Sequence, residues 1–188
     1  MLNDLSTTRN RIMRAALDLV AEDGFAAATT AAIARKTGLA EGTLYRHFPS
    51  KDELFVAVYR QLKQEVFESI QAETRPDASL RDRFGQLWLG VWNAYLSDAA
   101  AFTYGQRFGE SPLAGSEGVA HEGFYRHVAA LMSDGKQAGL IKPLPANVLR
   151  AFFFPPLISM LKQALAGHDW AASDIEAAID AAWDSWTL

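Results

Sequence analysis

Twenty residues, Thr29 to Phe48 (TTAAIARKTGLAEGTLYRHF), constrain the fold of this chain more than any others. Thr29 or Thr30 can supply the side-chain oxygen that caps a helix N-terminus, and Ile33 with Ala34 gives that helix an apolar edge. Gly38 suits the left-handed conformation that ends a helix, with Leu39 placed to pack back onto it. Leu44 and Phe48 then stand four apart, on one face of a second short helix. Glu41, Gly42, Thr43, Tyr45, Arg46 and His47 are left pointing elsewhere. Two short helices about a glycine turn form a helix-turn-helix, whose second helix reads a DNA groove.

The flanking sequence is helical throughout. Ile12, Ala15, Ala16, Leu19 and Val20 make an amphipathic stripe that starts near Ser6, Thr7 or Thr8 and stops at Gly24. Arg9, Arg11 and Arg14 near its start read either as a solvated face or as phosphate contacts. Ser50 and Glu53 have capping-box spacing, and Leu54, Phe55, Val58, Leu62 and Val66 carry a long helix from Ser50 to about Ala72. Further helical patterns cover Ser79 to Leu96, Ala99 to Phe108 behind an Asp98 cap, Val119 to Ala138, and Asn147 to Ala166. Pro155 and Pro156 fall inside the last of these, and a kink or break is expected there. Ser173 to Glu176 reads as a second capping box before a stripe of Ile175, Ala178, Ile179, Ala182, Trp183 and Trp186. No strand pattern competes, so the expected class is all-α: a three-helix head, residues 1–53, joined by the long helix to a helical bundle, residues 54–188.

Composition narrows the function classes. The 188 residues hold no cysteine, which removes disulfides and thiolate metal sites and suits a reducing cytoplasm. The apolar stretch Phe152 to Leu165 reads as too short for a membrane crossing. The net charge of −4 is unevenly spread: residues 1–60 carry +1 and the remainder −5. An acidic body with a locally basic head is compatible with DNA, because only the contacting face must be positive. His47, His121, His127 and His168 show no metal-ligand spacing. Ala114 to Gly118 lacks the first glycine of a nucleophile elbow, and no phosphate-cradling glycine motif occurs. The expectation is a non-enzyme without cofactor or metal.

Residues Thr30, Ile33-Ala34, Thr37-Gly38-Leu39, Gly42-Thr43-Leu44-Tyr45, His47-Phe48, Ser50-Lys51 and Leu54 together resemble the TetR (tetracycline-repressor-like) family of transcriptional regulators. The resemblance implies that Thr30 caps the first motif helix near a phosphate. It also implies that Gly42 and Thr43 sit where the recognition helix meets the groove, and that Tyr45, His47 and Lys51 contact phosphate or sugar. Thr29, Glu41 and Arg46 complete the expected DNA face. Two departures stand out. Ala40 replaces a serine common in the family, and Glu41 stands where a base contact is often made. Glu41 reads either as selecting a C·G pair through the cytosine amino group or as complementing the helix dipole.

The aromatics of the C-terminal part read in two ways. They are core, or the set Trp88, Trp92, Phe102, Tyr104, Phe108, Phe124 and Phe152, with His121, encloses a small hydrophobic or aromatic effector. The final stripe is either intramolecular core or, through Ile175, Ile179, Trp183 and Trp186, the interface of a homodimer. The resemblance implies the dimer, which would place two recognition helices on a roughly palindromic double-stranded operator. The functional expectation is a cytoplasmic, ligand-responsive regulator, most simply a repressor. A sequestering protein with a vestigial motif and an activator are the alternatives.

Overall fold

Four of the helices begin where a threonine, serine or aspartate side chain satisfies one of the first backbone donors. The computed structural model describes the chain except for residues 1, 3, 74, 76 and 116–121, and except for the side chains of 72, 73 and 122–125. Among the described residues the order is α1 (Thr8–Asp23), α2 (Thr30–Thr37), α3 (Glu41–His47), α4 (Lys51–Glu73), α5 (Leu80–Leu96), α6 (Ala99–Gly109), α7 (Glu122–Gln137), α8 (Ala146–Leu165) and α9 (Ala172–Trp186). A short 3-10 turn spans Pro112–Gly115. Thr7, Thr29, Ser79 and Asp98 are the N-caps of α1, α2, α5 and α6, each accepting from a backbone N–H three residues on. The cap expected at Ser173 is displaced: α9 starts at Ala172, and the Asp174 carboxylate accepts from the Ala171 N–H at 3.2 Å.

The chain divides into two compact units, residues 1–65 with 98–121 and residues 66–97 with 122–188. The packing division therefore falls inside α4, beyond the 53/54 division expected on functional grounds, and α6 belongs with the head. In the first unit α1 packs on α2 and α6, and α2 packs on α3. Its core holds Ile12, Leu17, Ile33, Leu44, Phe48, Leu54, Phe55, Val58, Tyr104 and Phe108, all buried. In the second unit α5 packs on α7, α8 and α9, and α8 packs on α9. Phe84 is surrounded there by Phe153, Trp183 and Trp186 at ring separations of 5.0, 5.3 and 4.9 Å.

Of the kink or break expected at Pro155-Pro156, the break does not occur: α8 runs from Ala146 to Leu165 as one helix. Leu149, Phe153, Leu157 and Leu161 anchor its buried side, whereas Ala151, Phe152, Pro155 and Pro156 are all exposed. The carbonyls of Ala151 and Phe152, which lose their donors to the two prolines, thus lie on the uncovered side of the helix. α8 is longer than the stretch Phe152 to Leu165 and, by length and composition only, would be long and apolar enough to cross a membrane; 28% of that window is buried.

One glycine shows packing overriding propensity. Gly90 lies in the middle of α5, where alanine ordinarily stabilises a helix by about 1 kcal/mol. A Cβ at this position would meet Ile70 Cγ1 at 2.4 Å and Ile70 Cα at 3.5 Å. Steric cost wins, because overpacking a filled core costs about 1–3 kcal/mol. Gly90→Ala is expected to lower the thermal unfolding midpoint, and Ile70→Ala in the same chain to restore part of the loss; a raised midpoint would contradict this packing.

Candidate nucleic-acid interface

The two motif helices are too short to persist alone, so their geometry is set by what they bury. α2 buries Ala32, Ile33, Ala34 and Thr37; the Thr37 hydroxyl donates back to the Ile33 and Ala34 carbonyls, at 2.9 and 3.1 Å. Gly38 ends α2 with φ +69°, and the Leu39 N–H reaches the Ala34 carbonyl at 3.0 Å. α3 buries Leu44, and Phe48 at its C-cap is also buried. The opposite side carries Glu41, Gly42, Tyr45 and Arg46, all exposed, with Tyr45 at 53%. Thr43 and His47 are half-buried beside them, and Arg46 Nη2 lies 3.4 Å from Thr43 Oγ1. Lys51 opens α4 with its ammonium 5.7 Å from the Phe55 ring centre. The nine residues expected on a DNA face therefore all belong to one packing unit, at the ends and outer side of α2, α3 and α4.

Local capping differs between the two helices. Thr29 Oγ1 accepts from the Ala32 N–H at 3.1 Å. Ala40, the N-cap of α3, supplies no side-chain oxygen. Thr30 Oγ1 instead donates to Glu41 Oε2 at 2.9 Å, bridging the first residues of α2 and α3.

The three arginines of α1 do something neither sequence reading proposed. Arg9 donates to the His47 carbonyl at 3.1 Å, with its guanidinium 4.2 Å from the centre of the Phe48 ring. Arg11 donates to the Thr37 carbonyl at 2.8 Å. They thus supply cations to the carbonyl ends of α3 and α2, where the helix dipole favours positive charge. Arg14 pairs with Asp18 on its own helix and with Asp98 at the start of α6. Burial works against the Arg14 charge, but the bonds and attraction from Asp98 and Asp18 outweigh it and raise its pKa above the ordinary value. Lys36 is held by Glu22 at 3.1 Å and by Asp18 at 3.8 Å. No local sequence signal marks the Arg9 and Arg11 roles, since their acceptors are backbone atoms 38 and 26 residues away.

The residues expected to line an effector pocket are split between the units. Phe102, Tyr104 and Phe108 lie on α6 in the first unit and are buried. Phe25 meets Phe55, Tyr104 and Phe108 edge-on, while Tyr59 stacks on Phe108 at 4.2 Å. The Tyr104 hydroxyl donates to the Phe55 carbonyl at 2.7 Å, and burial pushes its pKa well up. These are core positions of the head. Trp88 and Trp92 lie in the second unit, stacked at 5.5 Å. Trp88 is fully buried, and its indole N–H finds no acceptor among the described residues. Phe152 is 48% exposed on α8, outside any enclosed space. His121 and the Phe124 side chain lie outside the described residues. The second unit also has an open groove of about 820 Å³, lined by Arg81, Gln86, Leu89, Ile175, Glu176 and Ile179 among others, and none of the expected effector residues lines it.

Of the expected interface residues, Trp186 is fully enclosed in its own unit, donating its indole N–H to the Leu149 carbonyl at 2.8 Å. Ile179 is also buried, and only Ile175 and Trp183 keep partial exposure. On α8, by contrast, Phe152 is exposed together with Ala151, Pro155 and Pro156.

If Arg11 fixes the end of α2, Arg11→Met should reduce stability by about 1 kcal/mol while retaining its apolar stem. Denaturant titration of the full chain checks this, and an unchanged midpoint would remove Arg11 from the capping role.

Comparison with known proteins finds two family models along the chain, and the C-terminal one includes α6, which packs with the head. Residues 12–58 match the family model described as bacterial regulatory proteins, tetR family, and residues 79–187 match that described as tetracyclin repressor-like, C-terminal domain. The nucleoid occlusion factor SlmA of Marinobacter nauticus is 36% identical over 87 residues, 46% of this chain and 45% of the relative. The chain thus spans less than half the length of the curated relatives it matches first. A TetR family transcription regulator from Marinobacter aquaeolei VT8 superposes with TM-score 0.87 at 28% identity, covering 95% of both chains. A transcriptional regulator, FadR, from Bacillus subtilis, solved with stearoyl-CoA, shares the fold with TM-score 0.71 at 15% identity, over 93% of this chain and 95% of that one.

Proposed function

This chain belongs to the tetR family of bacterial transcriptional regulators, and on that premise we propose that it is a cytoplasmic repressor. It binds a roughly palindromic operator as a homodimer and leaves it when a small hydrophobic or aromatic effector binds. The observation that carries the DNA reading is the single outward set on α2, α3 and the start of α4: Thr29, Gly42, Thr43, Tyr45, Arg46, His47 and Lys51 around exposed Glu41. Hydroxyls, a phenol and cations suit the sugar-phosphate backbone, while the outer side of a short helix reaches base edges.

Support for the dimer is the uncovered apolar side of α8. Ala151, Phe152, Pro155 and Pro156 present no charge, and the two prolines present no backbone donors. A second copy related by a two-fold axis would cover this side, and α9 beside it, with its equivalent. Support for the effector reading is the Trp88 N–H. A buried donor without an acceptor costs about 1–3 kcal/mol, which a bound molecule carrying an acceptor would recover. The stearoyl-CoA held by the FadR neighbour is a precedent for an apolar effector. Release requires the effector to bind the non-operator conformation more tightly than the operator-bound one. α4, which contributes residues to both units, is the covalent route for that coupling.

Selection from a random duplex library should return a two-fold symmetric sequence, with affinity falling steeply as salt rises. Lys51→Ala should then weaken all duplexes alike and lower the salt slope by about one. Phe152→Glu should shift the protein toward monomer by light scattering and weaken symmetric sites far more than half-sites. Selection without sequence preference would remove the operator reading, and an unchanged oligomeric state would remove α8 from the interface.

A further inference from the structure

The bond between Thr30 and Glu41 reassigns two residues of the DNA face. We infer that Thr30 is a positioning residue for Glu41 rather than a phosphate donor, and that Glu41, held this way, reads the exocyclic amino group of a cytosine. The inference rests on the DNA-binding reading above and specifies its sequence preference.

A threonine hydroxyl has one hydrogen to give. Thr30 gives it to Glu41 Oε2, at 2.9 Å. What the Thr30 hydroxyl then has left is lone pairs, to which an ionised phosphate oxygen has no hydrogen to donate. Thr29 is the complementary case: its Oγ1 accepts from the Ala32 N–H and keeps its own hydrogen for an outside acceptor. The two adjacent threonines thus divide the work, with Thr29 suited to a phosphate and Thr30 to a side chain of α3.

Glu41 is exposed at the first position of α3, with Ala40 before it offering no competing side-chain oxygen. With Oε2 engaged by Thr30, the other oxygen of this exposed side chain is left to accept from an outside donor. An ionised carboxylate only accepts. In the major groove the available donors are the cytosine N4 and adenine N6 amino groups. Adenine sets its N7 acceptor beside N6, facing the carboxylate with a second negative edge, whereas cytosine has no acceptor on that edge. A fixed carboxylate therefore prefers cytosine. Fixing matters because a loose carboxylate near DNA is pushed away by phosphates; the Thr30 bond limits the orientations it can take.

The test uses the full-length protein, the sequence it selects from a random duplex library, and the variants Glu41→Ala, Glu41→Gln, Thr30→Val and Thr30→Ser. Wild type should require C·G at one symmetry-related pair of positions. Glu41→Ala should relax that preference by about tenfold, and Glu41→Gln should move it toward adenine. Thr30→Val should relax the same position by about threefold to tenfold while leaving other positions and the salt slope unchanged. Thr30→Ser, which keeps the hydroxyl, should retain the preference. The double variant should be no worse than Glu41→Ala alone, since Thr30 acts through Glu41. Thr30→Val weakening every duplex equally would mark a phosphate contact and overturn the inference with operator binding intact. A wild-type selection that lacks C·G dependence would overturn it too. Failure of wild type to select any sequence would overturn the DNA-binding reading itself, and this inference with it.

Discussion

Helices of eight and seven residues do not persist in water, so the reading face depends first on the burial of Ile33, Leu44 and Phe48. Each buried side chain of this size contributes about 1.5–3 kcal/mol. That burial alone would leave the carbonyl ends of α2 and α3 open. Arg11 and Arg9 close them from α1, so the first helix both floors the motif and caps it. The outward residues are displayed at fixed angles because everything on the inner side is already engaged.

The segment 98–121 packs with residues 1–65 although it lies far along the chain. Asp98 takes Arg14, Arg107 donates to the Val20 carbonyl, and Tyr104 donates to the Phe55 carbonyl. α6 is thereby joined to α1 and α4 by polar bonds as well as by the Phe25, Tyr59 and Phe108 cluster. Any signal that moves α6 acts on the head's own core, so coupling inside this unit needs no separate relay.

Much of the fold is legible in the sequence because it is local. Glycine stops, threonine, serine and aspartate caps, and apolar stripes of helical period place most helices to within a few residues, and a motif with fixed spacing identifies the head. Where the sequence leaves alternatives open, distant contacts choose between them. Pro155-Pro156 suggested a break from local sterics, but buried Phe153 and Leu157 hold the helix while the prolines face outward. Trp183 and Trp186 carried the same period, yet Phe84 and the Leu149 carbonyl claim Trp186 for the unit's interior. Phe102, Tyr104 and Phe108 share their chemistry with Trp88, but packing assigns them to the head.

By itself the sequence determined the helical class, the order of elements, the motif and the family, since these follow from period, caps and fixed spacing along the chain. Only the tertiary structure decided the partners of Arg9, Arg11 and Thr30, the unit to which α6 belongs, and which side of α8 stays open. A side chain's role is set by the atom it meets, and for these residues that atom lies 11 to 38 residues away or is missing from the unit altogether.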